Sequence, residues 1–239
     1  MELTELKNRI YSSFTGSQQG LEDVIALIEQ DRAIFPFNEY EHLVCTLINK
    51  GGLSYQKYIE IRTEYINENP NLWIFEISAP RGFGESFAQT YVQGKSSKLK
   101  KPSKKIDPNY AGQYDLWLDG IAIEVKASRA VDRDSDEPLY MKALSRDTQK
   151  RFLMNFQQLK PDCCDVFIWV AVYRDQIVLW IIGSGDVAKN PSYSSQHRGG
   201  IEGQVMVTND NIHLLDQYEL KDDSIEHAIR NAALRKYTS

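Results

Sequence analysis

Apolar positions along the chain change their spacing several times, and each change predicts a different kind of element. From Leu3 to Phe14, Leu21 to Arg32, Glu39 to Lys50 and Tyr55 to Glu68 they recur every three or four residues, the period of amphipathic helices. Val24, Ile25, Leu27 and Ile28 form one stripe, and Leu43, Val44, Leu47 and Ile48 another, which Gly51-Gly52 ends as a left-handed cap would. Together they predict a helical N-terminal layer over residues 1–70. Asn69-Pro70 breaks the last of these helices, and Leu72 to Ile77, rich in aromatic and β-branched residues, predicts a short strand. Pro80 and two glycines predict a loop, and Glu85 to Val92 a helix with Phe87, Ala88, Tyr91 and Val92 facing inward.

The period then drops to two. Tyr114 to Lys126 alternates apolar and polar positions on either side of Asp119-Gly120, a dipeptide that favours a type I′ turn because both residues accept positive φ at low cost. Placing Leu118 opposite Ile121 sets Trp117 against Ala122, Leu116 against Ile123 and Asp115 against Glu124. Leu116, Leu118, Ile121, Ile123 and Val125 then share a core face, while Asp115, Glu124 and Lys126 share the other. Directly opposed like charges destabilise a sheet. Lys126 supplies part of the compensation, and two carboxylates at that separation also suit Mg²⁺, which takes one or two carboxylates and keeps several waters.

Beyond the hairpin, Ala127 to Pro138 reads as a polar loop. Leu139 to Leu159 reads as a long amphipathic helix carrying Lys142, Arg146, Lys150 and Arg151, closed by Pro161. Val166 to Tyr173 and Ile177 to Ile182 are near-continuous apolar runs, as expected of strands buried on both faces. This order predicts a parallel, right-handed connection from the Glu124 strand through the long helix to the Val166 strand, hence an α/β core with a mixed sheet. Tyr193 to Gln204 reads as a loop, Val205 to Val207 and His213 to Leu215 as short strands, and Ser224 to Lys236 as a final amphipathic helix. The expected organisation is a single domain: helices over 1–70, a core over 71–185, and a recognition and packing segment over 186–239.

Composition narrows the class. The 239 residues, 42% hydrophobic and 26% charged, suffice for one good core. No apolar stretch approaches the roughly 18–20 residues of a membrane span, and the opening residues lack a signal-peptide pattern, so the expected location is cytoplasmic, with no membrane partner. Cys45, Cys163 and Cys164 form neither a disulfide framework nor a zinc motif. A net charge of −5 argues against coating nucleic acid through general positive charge but leaves room for a local basic channel. Lys95 to Lys105, with Lys98, Lys100, Lys101 and Lys104, is the one such run, read either as a flexible solvated loop or as a set of phosphate contacts.

Glu85 on a helix, Asp115 on one strand and Glu124-Val125-Lys126 on the next resemble the PD-(D/E)xK nuclease superfamily, and most closely the type II restriction endonucleases. The resemblance spans Glu85 to Ile182. Residue 114 is Tyr where the motif's name has proline, and the interval from Asp115 to Glu124 is at the short end. The resemblance implies a restriction-endonuclease-like core, a mixed central sheet flanked by helices. It implies Mg²⁺ held by Asp115, Glu124 and the Val125 carbonyl, with Lys126 orienting the attacking water and stabilising developing charge. Glu85 would serve a second metal or a metal-bound water; alternatively it is simply a carboxylate favoured by the helix dipole. The implied activity is sequence-specific hydrolysis of double-stranded DNA by a homodimer. Two segments offer side chains suited to base edges, one with Arg129 and Arg133 and one with Gln196, His197, Arg198 and Gln204, although both also fit ordinary polar loops. Other readings are a structure-selective repair or recombination nuclease, a DNA-binding module on a nuclease-like fold, and a sheet face that is merely salt-bridged.

Overall fold

In the computed structural model, which describes residues 40–196 and 202–237 together with 12, 17, 19, 20, 22, 23 and 34–38, Asp119 and Gly120 take φ of 45° and 97°. These are the paired positive values of a type I′ turn. The register follows as counted: Leu118 pairs with Ile121, Trp117 with Ala122 and Leu116 with Ile123.

Residues 1–55 and 56–239 form two compact units. In the first, α1 (Glu41–Asn49) ends in a Schellman motif. Gly51, at φ 70°, donates to the Ile48 carbonyl, and Gly52 to that of Leu47. The helices expected over Leu3–Phe14 and Leu21–Arg32 lie, apart from isolated positions, outside the described residues.

α2 (Tyr55–Glu68), which belongs to the second unit in all but its first residue, keeps its predicted bounds. Leu72 to Ile77 is not a strand: α3 (Leu72–Phe75) is one helical turn. Alternation cannot bury Leu72, Ile74 and Phe75 together, and the turn does so while leaving Trp73 about half exposed. A π-helical stretch, Gly82–Gln89, runs into α4 (Thr90–Gln93). The strands are β1 (Leu116–Leu118), β2 (Ile121–Arg129), β3 (Val131–Asp132), β4 (Phe152–Leu159), β5 (Val166–Val172), β6 (Ile177–Gly183), β7 (Tyr193–Ser195) and β8 (Gly203–Val207). Among them lies α5 (Ser184–Ala188), and after them come a 3₁₀ helix, Ile212–Tyr218, and α6 (Ile225–Ala233). Ser224 caps α6 by accepting from the His227 N–H. His213 to Leu215, expected as a strand, falls within the 3₁₀ helix, where only Leu215 is buried.

The first sheet has the order β1-β2-β5-β6 and is mixed. β2 and β5 are parallel, and β1 and β6 are antiparallel to their neighbours. Every residue of β5 is buried, as its apolar run required. A second sheet, β3-β4-β8-β7, was not foreseen. The long helix expected over Leu139–Leu159 is absent, and the connection from β2 to β5 passes through β3 and β4. Ser145 to Arg151 offers no apolar residue over nearly two helical turns, whereas Phe152, Met154 and Phe156 alternate inward. Arg146 is tied instead to Glu219, at 3.0 Å, and to the Tyr173 hydroxyl.

The two sheets share one buried cluster. Phe167, Trp169 and Ala171 of β5 and Trp180 and Ile182 of β6 meet Met154 and Phe156 of β4 and Val205 and Val207 of β8. Phe156 stacks on Trp169 with ring centroids 4.5 Å apart and meets Trp180 edge-on. By alternation Ile123, Val125, Val166, Ile168 and Val170 face the other way, and they too are buried. The π-helical stretch packs on β2, and α6 on β5 and β6, so the mixed sheet is flanked by helices.

Candidate active site

The site forms where β1 leaves β2. The Asp115 N–H still donates to the Ile123 carbonyl, at 2.9 Å, but beyond it the ladder stops. Its side chain takes over: Oδ2 accepts from the Val125 N–H at 2.9 Å, where the next backbone bond would have been. Because the N–H and C=O of one strand residue point to the same edge, the Val125 carbonyl lies on this vacated edge beside the Asp115 carboxylate. Glu124 and Lys126 project from β2 on either side of Val125, both largely buried, with Lys126 Nζ 2.8 Å from Glu124 Oε1.

Asp115 and Glu124 lie close enough for each carboxyl to act on the other's ionisation. Burial, reinforced by the neighbouring Asp115 charge and opposed by Lys126, pushes Glu124 up to about 7. Asp115 is also raised, first by burial, against the stabilising Val125 N–H and Lys126 and with a further upward push from Glu85. One ammonium does not neutralise two carboxylates, so the pair retains a proton near neutrality unless a second cation is supplied.

The π-helical stretch delivers a partner that sequence reasoning missed. Gln89 Nε2 donates to Asp115 Oδ1 at 2.7 Å. π-Helical turns are rare and concentrate at functional sites. Here the widened helix carries a stacked aromatic ladder, Phe83 on Phe87 on Tyr91, with centroids 6.0 and 5.9 Å apart. The available signal was the spacing: Gln89 follows Glu85 by four residues and so lies on nearly the same helical face. Glu85 itself is exposed and 3.7 Å from Arg81. Its charge reaches Asp115 but its carboxylate is not among the hydrogen-bonded group.

The donor set fits a hard divalent cation. Asp115 has each oxygen engaged once, leaving a lone pair on both. Glu124 and the Val125 carbonyl add oxygens, and a cation would offset the burial that raises both carboxyls. Among the described residues, no three or more His, Cys, Asp or Glu side chains gather as a metal-binding group. Mg²⁺ with one or two carboxylates and several waters requires no such cluster.

The other expected residues fall in different places. Arg129, expected at DNA, is instead committed to the fold. Its guanidinium bonds the carbonyls of Ile74 and Ile77 at 3.1 and 2.6 Å and covers the Phe83 ring, and burial pushes it down to about 10. Arg133 is exposed in the turn after β3. The Lys95–Lys105 run is anchored rather than a free loop. Leu99 is buried, Lys100 exchanges two backbone bonds with Trp117 at the open edge of β1, and Lys98 Nζ lies 2.7 Å from Glu226. Lys100, Lys101 and Lys104 are exposed. Gln196 accepts from the Gln158 N–H, and Gln204 lies on β8 beside Asn155. His197 and Arg198 lie outside the described residues.

No protein-family model matches this chain, and no curated protein matches it. Among the described residues no helix is long and apolar enough to cross a membrane.

Proposed function

We propose that this protein is a Mg²⁺-dependent endonuclease of the PD-(D/E)xK type that hydrolyses phosphodiester bonds in double-stranded DNA at specific sequences, as a type II restriction enzyme does. The observation that carries the reading is the Asp115–Glu124 carboxyl pair, with Lys126 beside it, at the point where β1 leaves β2. A merely salt-bridged sheet face has no need of two raised carboxyls that act on each other's ionisation, and leaving them so costs stability.

Asp115, Glu124 and the Val125 carbonyl would hold the ion. When bound, Mg²⁺ lowers the pKa of water and neutralises charge on the phosphate. Lys126, 2.8 Å from Glu124, would donate to the attacking water and to the phosphoryl oxygen on which charge develops. Gln89 and the Val125 N–H fix the Asp115 carboxylate so that its free lone pairs keep one orientation. The exposed lysines 100, 101 and 104, next to the edge of β1, supply phosphate contacts. A homodimer would match a palindromic site through its two-fold axis.

The test is a plasmid digest with Mg²⁺, with and without chelator, followed by sequencing of the ends. Fixed bands that require the metal support the reading, and intact plasmid under all conditions removes it. Preferential cutting of branched DNA would instead favour the repair or recombination nuclease.

A further inference from the structure

β4 carries an irregularity that the metal site does not explain. Phe156 and Leu159 are both fully buried, so strict alternation would turn one of the two residues between them inward. Instead the register with β8 shifts between Phe156 and Leu159, and both Gln157 and Gln158 are exposed. Gln158 takes φ of 56°, a left-handed conformation that a side chain rarely adopts. The bulge is pinned on both sides. Gln196 Oε1 accepts from the Gln158 N–H at 2.9 Å, and the Tyr193 hydroxyl donates to the Leu159 carbonyl at 3.3 Å. Tyr193 packs directly over Gly203, opposite Leu159, where a side chain would collide with its ring. Backbone strain held in place by surrounding contacts marks functional positions, and bulges beside active sites re-aim side chains.

The bulge aims carboxamides. On the outward face of β4 and β8, Asn155 and Gln204 adjoin Gln157, with Asn155 Nδ2 3.4 Å from Gln204 Oε1. Asn155 Oδ1 is buried yet accepts no hydrogen bond from the protein. Asn155 and Gln157 of this face floor a groove of about 290 Å³ whose wall is Ala127, Ser128 and Arg129, the residues that follow Lys126 on β2, with Phe83 at its rim. Ser128 Oγ accepts from the Asn155 N–H at 2.8 Å, which ties the two strands together next to the site. Asn155 and Gln157 thus share a groove with the β2 residues that directly follow Lys126.

Resting on the nuclease reading, we infer that the Gln157-Gln158 bulge, with Asn155 and Gln204, is the surface that reads base edges of duplex DNA. Side-chain amides pair bidentately with adenine N6 and N7 in the major groove, which is wide enough to admit a two-stranded β-ribbon. Asn and Gln carry both a donor and an acceptor, so this surface selects sequence without adding the positive charge that would bind every duplex alike.

The experiment compares the wild-type chain with the double variant Gln157→Ala/Gln158→Gly. Glycine takes the φ of position 158 without strain, so the variant retains the bulge, and its melting temperature checks that it is folded. Each protein is mixed with a randomised duplex library in Ca²⁺, the bound fraction is sequenced, and the most enriched duplex is remade with 7-deazaadenine at each adenine in turn. The wild type is expected to enrich adenine-containing sites and to lose about tenfold in affinity at one or more of the substituted adenines. The double variant is expected to lose that enrichment while binding unselected duplex within about twofold of wild type, because phosphate contacts are untouched. Unchanged enrichment by the variant, no enrichment by the wild type, or indifference to 7-deazaadenine overturns the inference. Cutting is scored separately in Mg²⁺. Amide-dependent enrichment without cutting removes the nuclease reading alone, and cutting with unchanged site choice in the variant removes this inference alone.

Discussion

Gln89 donates its amide to Oδ1 of Asp115 across 2.7 Å, joining the π-helical stretch to the strand that carries the first acid of the site. The Val125 N–H holds the other oxygen. Replacing Gln89 by Leu keeps the bulk and removes one of the two bonds that orient the carboxylate. Loss of such an outer partner typically costs about 10–100-fold in metal affinity or activity. The expected signature is a rise in the Mg²⁺ concentration needed for half-maximal cutting, with substrate affinity in Ca²⁺ unchanged. An unaltered Mg²⁺ titration would show that Val125 alone suffices.

Lys126→Ala should lower the cutting rate by about 10²–10³-fold, the usual loss when one charge-stabilising donor is removed. Asp115→Ala should abolish cutting, since it removes a proposed metal ligand. Both variants should still bind duplex, because neither touches the exposed lysines. The check is single-turnover cleavage beside a binding titration. Wild-type rates from either variant would dismiss the site.

The raised carboxyls make metal-free stability depend on pH. Glu124 ionises at its ordinary value in the unfolded chain but at about 7 in the folded one. Below 4.5 the group is protonated in both states. Between that value and 7 the folded protein holds a proton that the unfolded chain has released, so stability falls as pH rises through this window and then levels off. Glu124→Gln removes the share that Glu124 contributes and leaves that of Asp115. In chelator above pH 7 the variant should be the more stable, by at most on the order of 3 kcal/mol, with the difference gone at acid pH. Thermal melts across the range decide it, and Mg²⁺ should raise the wild-type melting temperature more at pH 8 than at pH 6.

The hairpin was legible because its information is local. One Asp-Gly turn and strict alternation set the register from Leu116 to Ile123, which leaves Asp115 at the end of the ladder. The all-apolar run of β5 was equally plain. β4 was not, because FLMNFQQL combines a strand's alternation with a bulge, and Gln157-Gln158 erases the period just where it would have been tested. That misassignment, together with the reading of Tyr193 to Gln204 as a loop, hid the second sheet. Gln89 and Arg129 illustrate a different limit. Their roles depend on which distant backbone or carboxyl meets them, and composition does not report that. Arg129 looked like a DNA contact and is bound to the carbonyls of Ile74 and Ile77.

The basic run makes the last prediction, and the fold divides it. Lys98 is held by Glu226 at 2.7 Å, next to the Ser96 hydroxyl, which donates to the same carboxylate. Its charge is therefore partly compensated before any DNA arrives. Lys100, Lys101 and Lys104 are exposed on the segment that pairs with the edge of β1, and among the described residues none of the three has an ion-pair partner to give up. Each phosphate neutralised by such a lysine contributes about 0.9 to the slope of log affinity against log salt on duplex DNA. Replacing Lys100, Lys101 and Lys104 by Ala should flatten that slope by roughly two to three units, whereas Lys98→Ala alone should change it by well under one. Because Leu99 and the Lys100 backbone do the anchoring, the triple variant should melt near the wild-type temperature. Binding titrations at several salt concentrations give the slopes directly, and a triple variant with the wild-type slope would show that the segment serves only to close the sheet edge.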